Sequence, residues 1–321
     1  MATPKKKVIV ILGPTASGKT SLGVSLAYKY SGEIVSADSR QVYRGMDVGT
    51  GKDLHNFKFE ILNLKLKKKE KIKIKHHLID VASPKTNFNL AKYQKLANRA
   101  IADIFKRNKL PIIVGGSGLY LEAVVDNYQL SKIKPDKKLR AKLEKKNIKE
   151  LFSLLKKIVP EEAKKLNESE RGNKIRLIRK IEIGADSLAD LTTQIKRGSN
   201  KYNFLLIGLA HSREILWERI YQRIVDRIEK ENLIGEVKKL HKNGLSWKRL
   251  ENFGLEYKFI ALYLQKKISY EDMVEKLFIA SRQFSKRQMS WFRRWEKQGA
   301  KINWVKNKSE AGKLVKNFLK K

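Results

Sequence analysis

Val8-Ile9-Val10-Ile11-Leu12-Gly13-Pro14-Thr15-Ala16-Ser17-Gly18-Lys19-Thr20 is the stretch on which the reading of the chain turns. Val8 to Leu12 is a continuous apolar run of strand length, so it reads as a buried strand. Gly13 to Thr20 fits a glycine, four residues, then Gly-Lys-Ser/Thr. In that pattern the glycines let successive backbone N–H groups curl around phosphate oxygens, and the N-terminus of the next helix adds partial positive charge. Lys19 neutralises phosphate as a point charge, and the Thr20 hydroxyl can hold Mg²⁺. An ordinary glycine turn is the plain alternative. The strand before the loop and the helix after it favour phosphate. Gly13, Pro14, Thr15, Ala16, Ser17, Gly18, Lys19 and Thr20 are therefore the expected phosphate loop.

Working outward, a helix is expected to about Tyr30, then a short strand from Glu33 to Ala37 that ends at Asp38. Strand, glycine loop, helix, strand opens a parallel α/β sheet. Apolar and polar residues alternate between Ile61 and Ile74 on both sides of Lys67-Lys68-Lys69-Glu70, which predicts a surface β-hairpin. Ala91 to Asn108 reads as an amphipathic helix and Pro111 to Val114 as another buried strand, running into Gly115-Gly116-Ser117-Gly118. From Ser131 to about Thr193 the chain is Lys-rich and helical in period. Tyr202 to Leu209 returns to strand, and Arg213 to about Gln298 is helical; Lys301 to Lys321 adds a strand and a short helix. This order predicts an α/β fold: a P-loop parallel-sheet core from residues 1–121 and 201–321, interrupted by a mostly helical domain at 122–200.

Lys plus Arg number 71 against 33 acids, a formal charge of +38 over 321 residues. That excess points to a polyanion, because each neutralised phosphate releases counterions and adds affinity. A lysine-biased composition is the plain alternative, and an anionic membrane surface is a weaker one. Hydrophobic residues make up 41%, enough to bury a sizeable core. With no cysteine, disulfides, thiolate zinc sites and cysteine nucleophiles are excluded. The apolar run Val8 to Leu12 is too short for a signal peptide or a membrane span. A soluble, cytoplasmic protein is expected, with a monomer as the default. His76-His77 is read as local packing or capping in preference to a zinc site.

Nucleoside triphosphatases usually carry a second apolar strand ending in a Mg²⁺-binding Asp. Here Pro111 to Val114 ends in Gly115-Gly116-Ser117, which favours other phosphate chemistry. Asp38 stands at the carboxyl end of a strand, where α/β sheets bind ligands. As a residue it reads equally as a general base or as a helix N-cap.

The words around Asp38 carry a resemblance. Asp38-Ser39-Arg40-Gln41-Val42-Tyr43, Gly45-Met46-Asp47-Val48-Gly49-Thr50, His77-Leu78-Ile79-Asp80, Gly115-Gly116-Ser117-Gly118-Leu119-Tyr120 and Ser281-Arg282-Gln283-Phe284-Ser285-Lys286-Arg287-Gln288 occur in that order. Together they resemble the tRNA dimethylallyltransferase family, over nearly the whole chain. The resemblance implies transfer of a dimethylallyl group from dimethylallyl diphosphate to N6 of adenosine 37, next to the anticodon of tRNA. It implies that the loop holds the diphosphate, with Thr15 in the reactive pocket and Mg²⁺ as cofactor. It implies that Asp38 takes the N6 proton, that Ser117, standing where the family usually has Thr, hydrogen-bonds near the reacting amine, and that Arg223 grips the diphosphate. Asp38, Ser39, Arg40, Gln41 and Ser117 would meet the tRNA, as would Arg140, Arg176 and Arg179 of the insertion. Gly254-Leu255-Glu256-Tyr257 departs from the usual Gly-Tyr-Lys/Arg-Glu, in a place to which the family assigns tRNA contacts. No zinc-finger segment follows Trp304, as expected of the bacterial type.

In the last long helix, Leu277, Ala280, Phe284, Trp291 and Trp295 recur at helical spacing and are expected to bury. Arg282, Lys286 and Arg293, with Arg287 and Arg294 beside them, form a basic stripe expected to touch phosphate. About six neutralised phosphates would give a salt slope of roughly −4 to −5. Two rivals remain: an isopentenyltransferase acting on free adenylate, and a non-enzymatic RNA-binding protein that uses the loop as a nucleotide switch.

Overall fold

The computed structural model describes residues 5–52, 58–63, 68–131, 133–186 and 196–320. The chain divides into two compact units, Met1–Val125 with Asn200–Lys321, and Asp126–Ser199. In chain order the first unit carries β1 (Lys6–Leu12), α1 (Lys19–Lys29), β2 (Gly32–Ser36), β3 (Lys58–Asn63), β4 (Lys68–Lys73), β5 (His76–His77), α2 (Leu90–Lys106), β6 (Leu110–Gly115) and α3 (Gly118–Val125). The second unit holds β7 (Tyr128–Gln129), α4 (Lys137–Glu144), α5 (Ile148–Ile158), α6 (Pro160–Lys164), α7 (Glu168–Arg171), α8 (Lys174–Asp186) and β8 (Lys196–Arg197). The first unit resumes with β9 (Tyr202–Leu209), α9 (Arg213–Glu229), α10 (Leu233–Lys242), α11 (Trp247–Phe253), α12 (Leu255–Leu264), α13 (Tyr270–Lys297), β10 (Ile302–Val305) and α14 (Lys308–Lys320).

Six of these strands form one parallel sheet in the order β10-β9-β1-β6-β2-β5. β1 is central and apolar without alternation because both faces are covered. Val8, Val10 and Leu12 pack with Tyr93, Ile101 and Ile104 of α2 and with Phe292 and Trp295 of α13. Ile9 and Ile11 face the other way, toward Leu22 and Leu26 of α1 and Val315 of α14. Register sets Leu12 beside both Gly115 and Gly208, and Ser36 beside Val114. The carboxyl ends of four strands are thus level, and the loops that leave them share one rim. A third core joins α9 to α13 with Val42, Tyr43 and Met46.

β3 and β4 pair antiparallel, with Asn63 opposite Lys68. Lys68, Lys69 and Glu70 lie in the second strand, not at the centre of the turn; Lys67 is outside the described residues.

The long helix α13 buries a different face from the one its apolar residues suggest. Its buried residues are Met273, Leu277, Ser281, Ser285, Gln288, Phe292 and Trp295. Ala280, Phe284 and Trp291 are only half-buried. Three polar residues occupy the middle of the stripe because that part of the helix faces the rim loops, where hydrogen bonds are needed.

The second unit has its own core, with Leu143, Leu151, Leu155, Leu177 and Ile181. Glu182 is buried beside it and takes both ends of the Arg140 guanidinium at 2.8 Å, Arg179 at 2.5 Å and the Asp136 N–H at 2.6 Å. Burial raises the Glu182 carboxyl, but the bonds from Arg140 and Arg179 outweigh it and hold the group at about 2. Among the described residues no helix is long and apolar enough to cross a membrane.

Candidate active site

Local sequence shapes the loop after β1. Gly13 has φ 150°, and a Cβ there would meet Leu209 O at 2.9 Å, so only glycine lets β1 turn this close to β9. The Ser17 N–H returns to Pro14 O at 3.3 Å. Gln288 of α13 accepts from the Thr15 N–H at 2.8 Å and donates to Gly116 O at 2.9 Å. One side chain thereby pins the loop after β1 to the loop after β6. The first N–H groups of α1 have no carbonyl within the helix, and they begin where the loop ends.

A cavity of about 740 Å³ opens on this loop. Thr15 to Thr20 line it, as do Asp38, Gly115, Gly116, Arg219, Arg223, Arg227, Lys230 and Gln288. Arg219, Arg223 and Arg227 stand at every fourth residue of α9, so they share one face. Like charges at that spacing repel, and the helix keeps them for an electrostatic partner. Arg227 has one: it is buried and donates to Glu256 Oε1 at 3.0 Å. Arg223 donates to Thr15 Oγ1 at 2.6 Å, and its Nε is buried with no hydrogen-bond partner among the described residues. Lys19 turns back to Pro14 O at 2.5 Å. Burial and then Arg223 push the Lys19 ammonium down to about 7, against the pull of Asp38. Burial and then Arg227 push Arg223 down to about 9, still charged at neutral pH. Cations held this way are completed by an anion.

A pH dependence follows. An anion on the loop raises Lys19 back toward its ordinary range, so binding takes up a proton where Lys19 starts neutral. Below pH 7 Lys19 is already charged and no uptake is expected. Above pH 7 up to one proton is taken up, and affinity falls by up to about tenfold per unit. Calorimetry of inorganic diphosphate binding in two buffers of different ionisation enthalpy measures this directly. Equal uptake at pH 6 and pH 8 would refute the lowered Lys19.

Asp38 leaves β2 at the rim. Its Oδ1 accepts from the Arg40 N–H at 2.8 Å and the Gln41 N–H at 3.3 Å, so it closes a turn. Among the described residues Oδ2 accepts no hydrogen bond. No helix follows Asp38, so the N-cap reading fails: residues 39–42 form a turn that Oδ1 closes, and Oδ2 is left over for chemistry. Ser117, after β6, accepts the Ser39 N–H at 3.1 Å, which brings it to the same strand end.

Gln41 is turned inward: it accepts from Ser36 Oγ at 2.8 Å and donates to Gly51 O at 3.1 Å. Lys52, fully buried, donates to Tyr43 O at 2.5 Å, to Asp47 at 2.8 Å and to Asp80 at 2.5 Å. Asp80 thus earns its place in the His77-Leu78-Ile79-Asp80 word by holding the loop that walls the cavity. His77 pairs with Glu33 at 2.6 Å on the sheet. Glu236 accepts the N–H groups of Asp47, Val48 and Gly49, and Tyr257 donates to its Oε1 at 2.7 Å. Glu256 accepts from Arg227 and, at 3.4 Å, from Arg40. The departing Gly254-Leu255-Glu256-Tyr257 segment therefore supports the cavity wall through Glu256 and Tyr257.

Sequence reasoning singled out Thr15, Lys19, Asp38, Ser117 and Arg223, which this rim brings together. It passed over Arg219, Arg227, Gln288 and Glu256. The fourfold arginine spacing was a readable signal for the first two; Gln288 and Glu256 stand in segments singled out above, but nothing in those words says what their side chains touch. On α13, Lys286, Arg287 and Arg293 are exposed. Arg282 lies 3.8 Å over the Trp217 ring. In the second unit Arg140 and Arg179 are bonded to Glu182, while Arg176 is about half exposed, 3.4 Å from Glu170.

Known proteins similar to this chain belong to one family. A family model described as IPP transferase matches residues 41–295, and one described as Isopentenyl transferase matches residues 6–70. The chain is 45% identical over 305 residues to a protein of Treponema denticola named tRNA dimethylallyltransferase 2, covering 94% of this chain and 96% of the relative. It is 40% identical to tRNA dimethylallyltransferase 1 of Geotalea uraniireducens, over 98% of this chain and 97% of that one. The crystal structure of a tRNA isopentenylpyrophosphate transferase from Bacillus halodurans superposes with a TM-score of 0.65 at 33% identity, over 98% and 96% of the two chains. A eukaryotic dimethylallyltransferase described as acting on tRNA gives a TM-score of 0.75 at 26% identity, over 95% of this chain and 75% of that one.

Proposed function

The chain belongs to the tRNA dimethylallyltransferase (IPP transferase) family, and from that membership we propose that it transfers the dimethylallyl group of dimethylallyl diphosphate to N6 of adenosine 37 of tRNA, in the cytoplasm. The observation that carries the reading is the pair of half-buried cations around the phosphate loop, Lys19 and Arg223 with its buried Nε unpartnered among the described residues, beside the free Oδ2 of Asp38. The diphosphate lies on the loop. As the C1–O bond breaks, its electron pair leaves with the diphosphate, whose growing charge meets Lys19, Arg223 and the N–H groups of α1. The N6 lone pair forms the new bond to C1, and Asp38 takes the N6 proton. Ser117 orients the amine. Among the described residues no three His, Asp or Glu side chains form a metal cage. A donor set of one hydroxyl, Thr20, suits Mg²⁺ that enters with the diphosphate and adds charge neutralisation there.

The test is a mass measurement on tRNA incubated with the protein and dimethylallyl diphosphate. An added C5H8 on one adenosine is expected, with no ATP present. Modification of free AMP and not of tRNA would revive the adenylate reading. ATP turnover stimulated by tRNA, without a mass shift, would revive the switch.

The polyanion contact has a salt signature. With Arg140 and Arg179 already bonded to Glu182, the cations left for phosphate are Arg282, Lys286 and Arg293 of the first unit and Arg176 of the second. Log affinity for tRNA is then expected to fall with log salt at a slope of about −3 to −4, shallower than six contacts would give. Lys286→Ala should reduce the slope by about one. Arg140→Ala should leave the slope unchanged and lower stability by about 1–3 kcal/mol, because Glu182 loses a charged donor. A slope near zero in the parent would leave the basic surface as solvated composition.

A further inference from the structure

Ser281 sits on the buried face of α13, only 1% exposed, and its hydroxyl has no hydrogen-bond partner among the described residues. A buried hydroxyl without a partner calls for an explanation, and a ligand that completes the bond is one. Ser281 lines a small cavity of about 50 Å³ beside the phosphate cavity. The two cavities share Thr15, Asp38, Thr50, Arg223, Arg227 and Phe284. A single water needs only about 10–15 Å³ of such space, so the small cavity has room for more. Of the other hydroxyls on its wall, Thr50 donates to Met46 O, while Thr15 accepts from Arg223 and Ser117 from the Ser39 N–H; Ser281 is the one that comes from the buried face of α13. Leu255, on the same wall, is held at φ 42°, a conformation leucine rarely adopts, and strain of this kind collects at functional sites.

Lys19 lines only the larger cavity, which leaves the smaller one, bordered by Asp38, for an edge of the acceptor base. We propose that the Ser281 hydroxyl donates a hydrogen bond to a ring nitrogen of the acceptor adenine while Asp38 accepts from its N6 amine, so that this pair selects adenine. The inference rests on the proposed function. Adenine presents a donor, N6–H, flanked by acceptors at N1 and N7. A carboxylate beside a hydroxyl donor matches that order. Guanine places O6 where the amine would be, and a carbonyl oxygen facing the Asp38 carboxylate is repelled. The polar break in the buried stripe of α13 is thereby explained: an alanine at 281 would pack as well but could not read the base.

The test uses anticodon stem-loop RNAs with adenosine, 1-deazaadenosine or 7-deazaadenosine at the acceptor position, and the variants Ser281→Ala and Ser281→Thr. Ser281→Ala is expected to lower kcat/KM for the adenosine RNA by roughly 10–100-fold. Its KM for dimethylallyl diphosphate should not change, and it should melt at or above the parent temperature because an unpaired hydroxyl has been removed. The parent should lose a similar factor with one of the two deaza RNAs, and Ser281→Ala should lose nothing further with that RNA. Ser281→Thr should restore most of the rate. A parent that modifies the adenosine RNA while Ser281→Ala matches it overturns this inference alone, as does a loss that multiplies with both deaza substitutions. A parent that modifies no RNA overturns the proposed function, and this inference with it.

Discussion

Asp38→Asn is expected to slow single-turnover transfer by roughly 10²–10⁴-fold, the range for loss of a general base, while the melting temperature and tRNA affinity stay close to the parent values. Asparagine is the informative substitution because of how Asp38 divides its oxygens. Oδ1 closes the turn by accepting from the Arg40 and Gln41 N–H groups, and an asparagine carbonyl does the same. Oδ2 is the oxygen left to take a proton, and asparagine has no base there. Asp38→Ala removes both functions and should lose about 1 kcal/mol of stability as well, the usual cost of a lost capping oxygen. A fast Asp38→Asn enzyme would leave the residue as a turn former only.

Arg223→Ala is expected to raise KM for dimethylallyl diphosphate and to lower kcat by about 10²–10³-fold, because the charge it meets grows as the C1–O bond breaks. Two features make this arginine hard to replace. Its guanidinium is fixed by Thr15 Oγ1 at 2.6 Å, and its buried Nε is left over for a ligand. Lys19→Ala should act in the same direction, with the rise in KM as its larger part, since Lys19 contributes a full charge only below about pH 7 in the free protein. The two substitutions touch one anion, so their effects should not multiply. Arg227→Ala provides the contrast: its partner is the buried Glu256, so instability should accompany any loss of rate. Unchanged KM and kcat in Arg223→Ala would remove the diphosphate from this cavity.

What the sequence by itself determined is local in origin. The apolar run of β1, the glycine pattern after it and the return to strand at Tyr202 each depend on near neighbours, and each is present; of the helical period read from Ser131 to about Thr193, helices occupy Lys137 to Asp186, and residues 187–195 are outside the described residues. Thr15, Lys19, Asp38 and Ser117 were legible because their chemistry sits at strand ends or inside motif words, and Arg223 only through the family resemblance. The tertiary structure alone decided which side chains those words face. It turned α13 so that Ser281, Ser285 and Gln288 are buried instead of Ala280, Phe284 and Trp291. It committed Gln41 to the backbone of Gly51, Asp80 to Lys52, and Arg140 and Arg179 to Glu182. The partners lie between 3 and 273 positions apart, as Arg179–Glu182 and Thr15–Gln288 mark the extremes. Hydrophobic period reports which residues leave water, but a polar side chain is buried according to the partner it meets, and that partner comes from elsewhere in the chain. In the first unit the partner is set by how the rim loops meet α13, in the second by its own helical core.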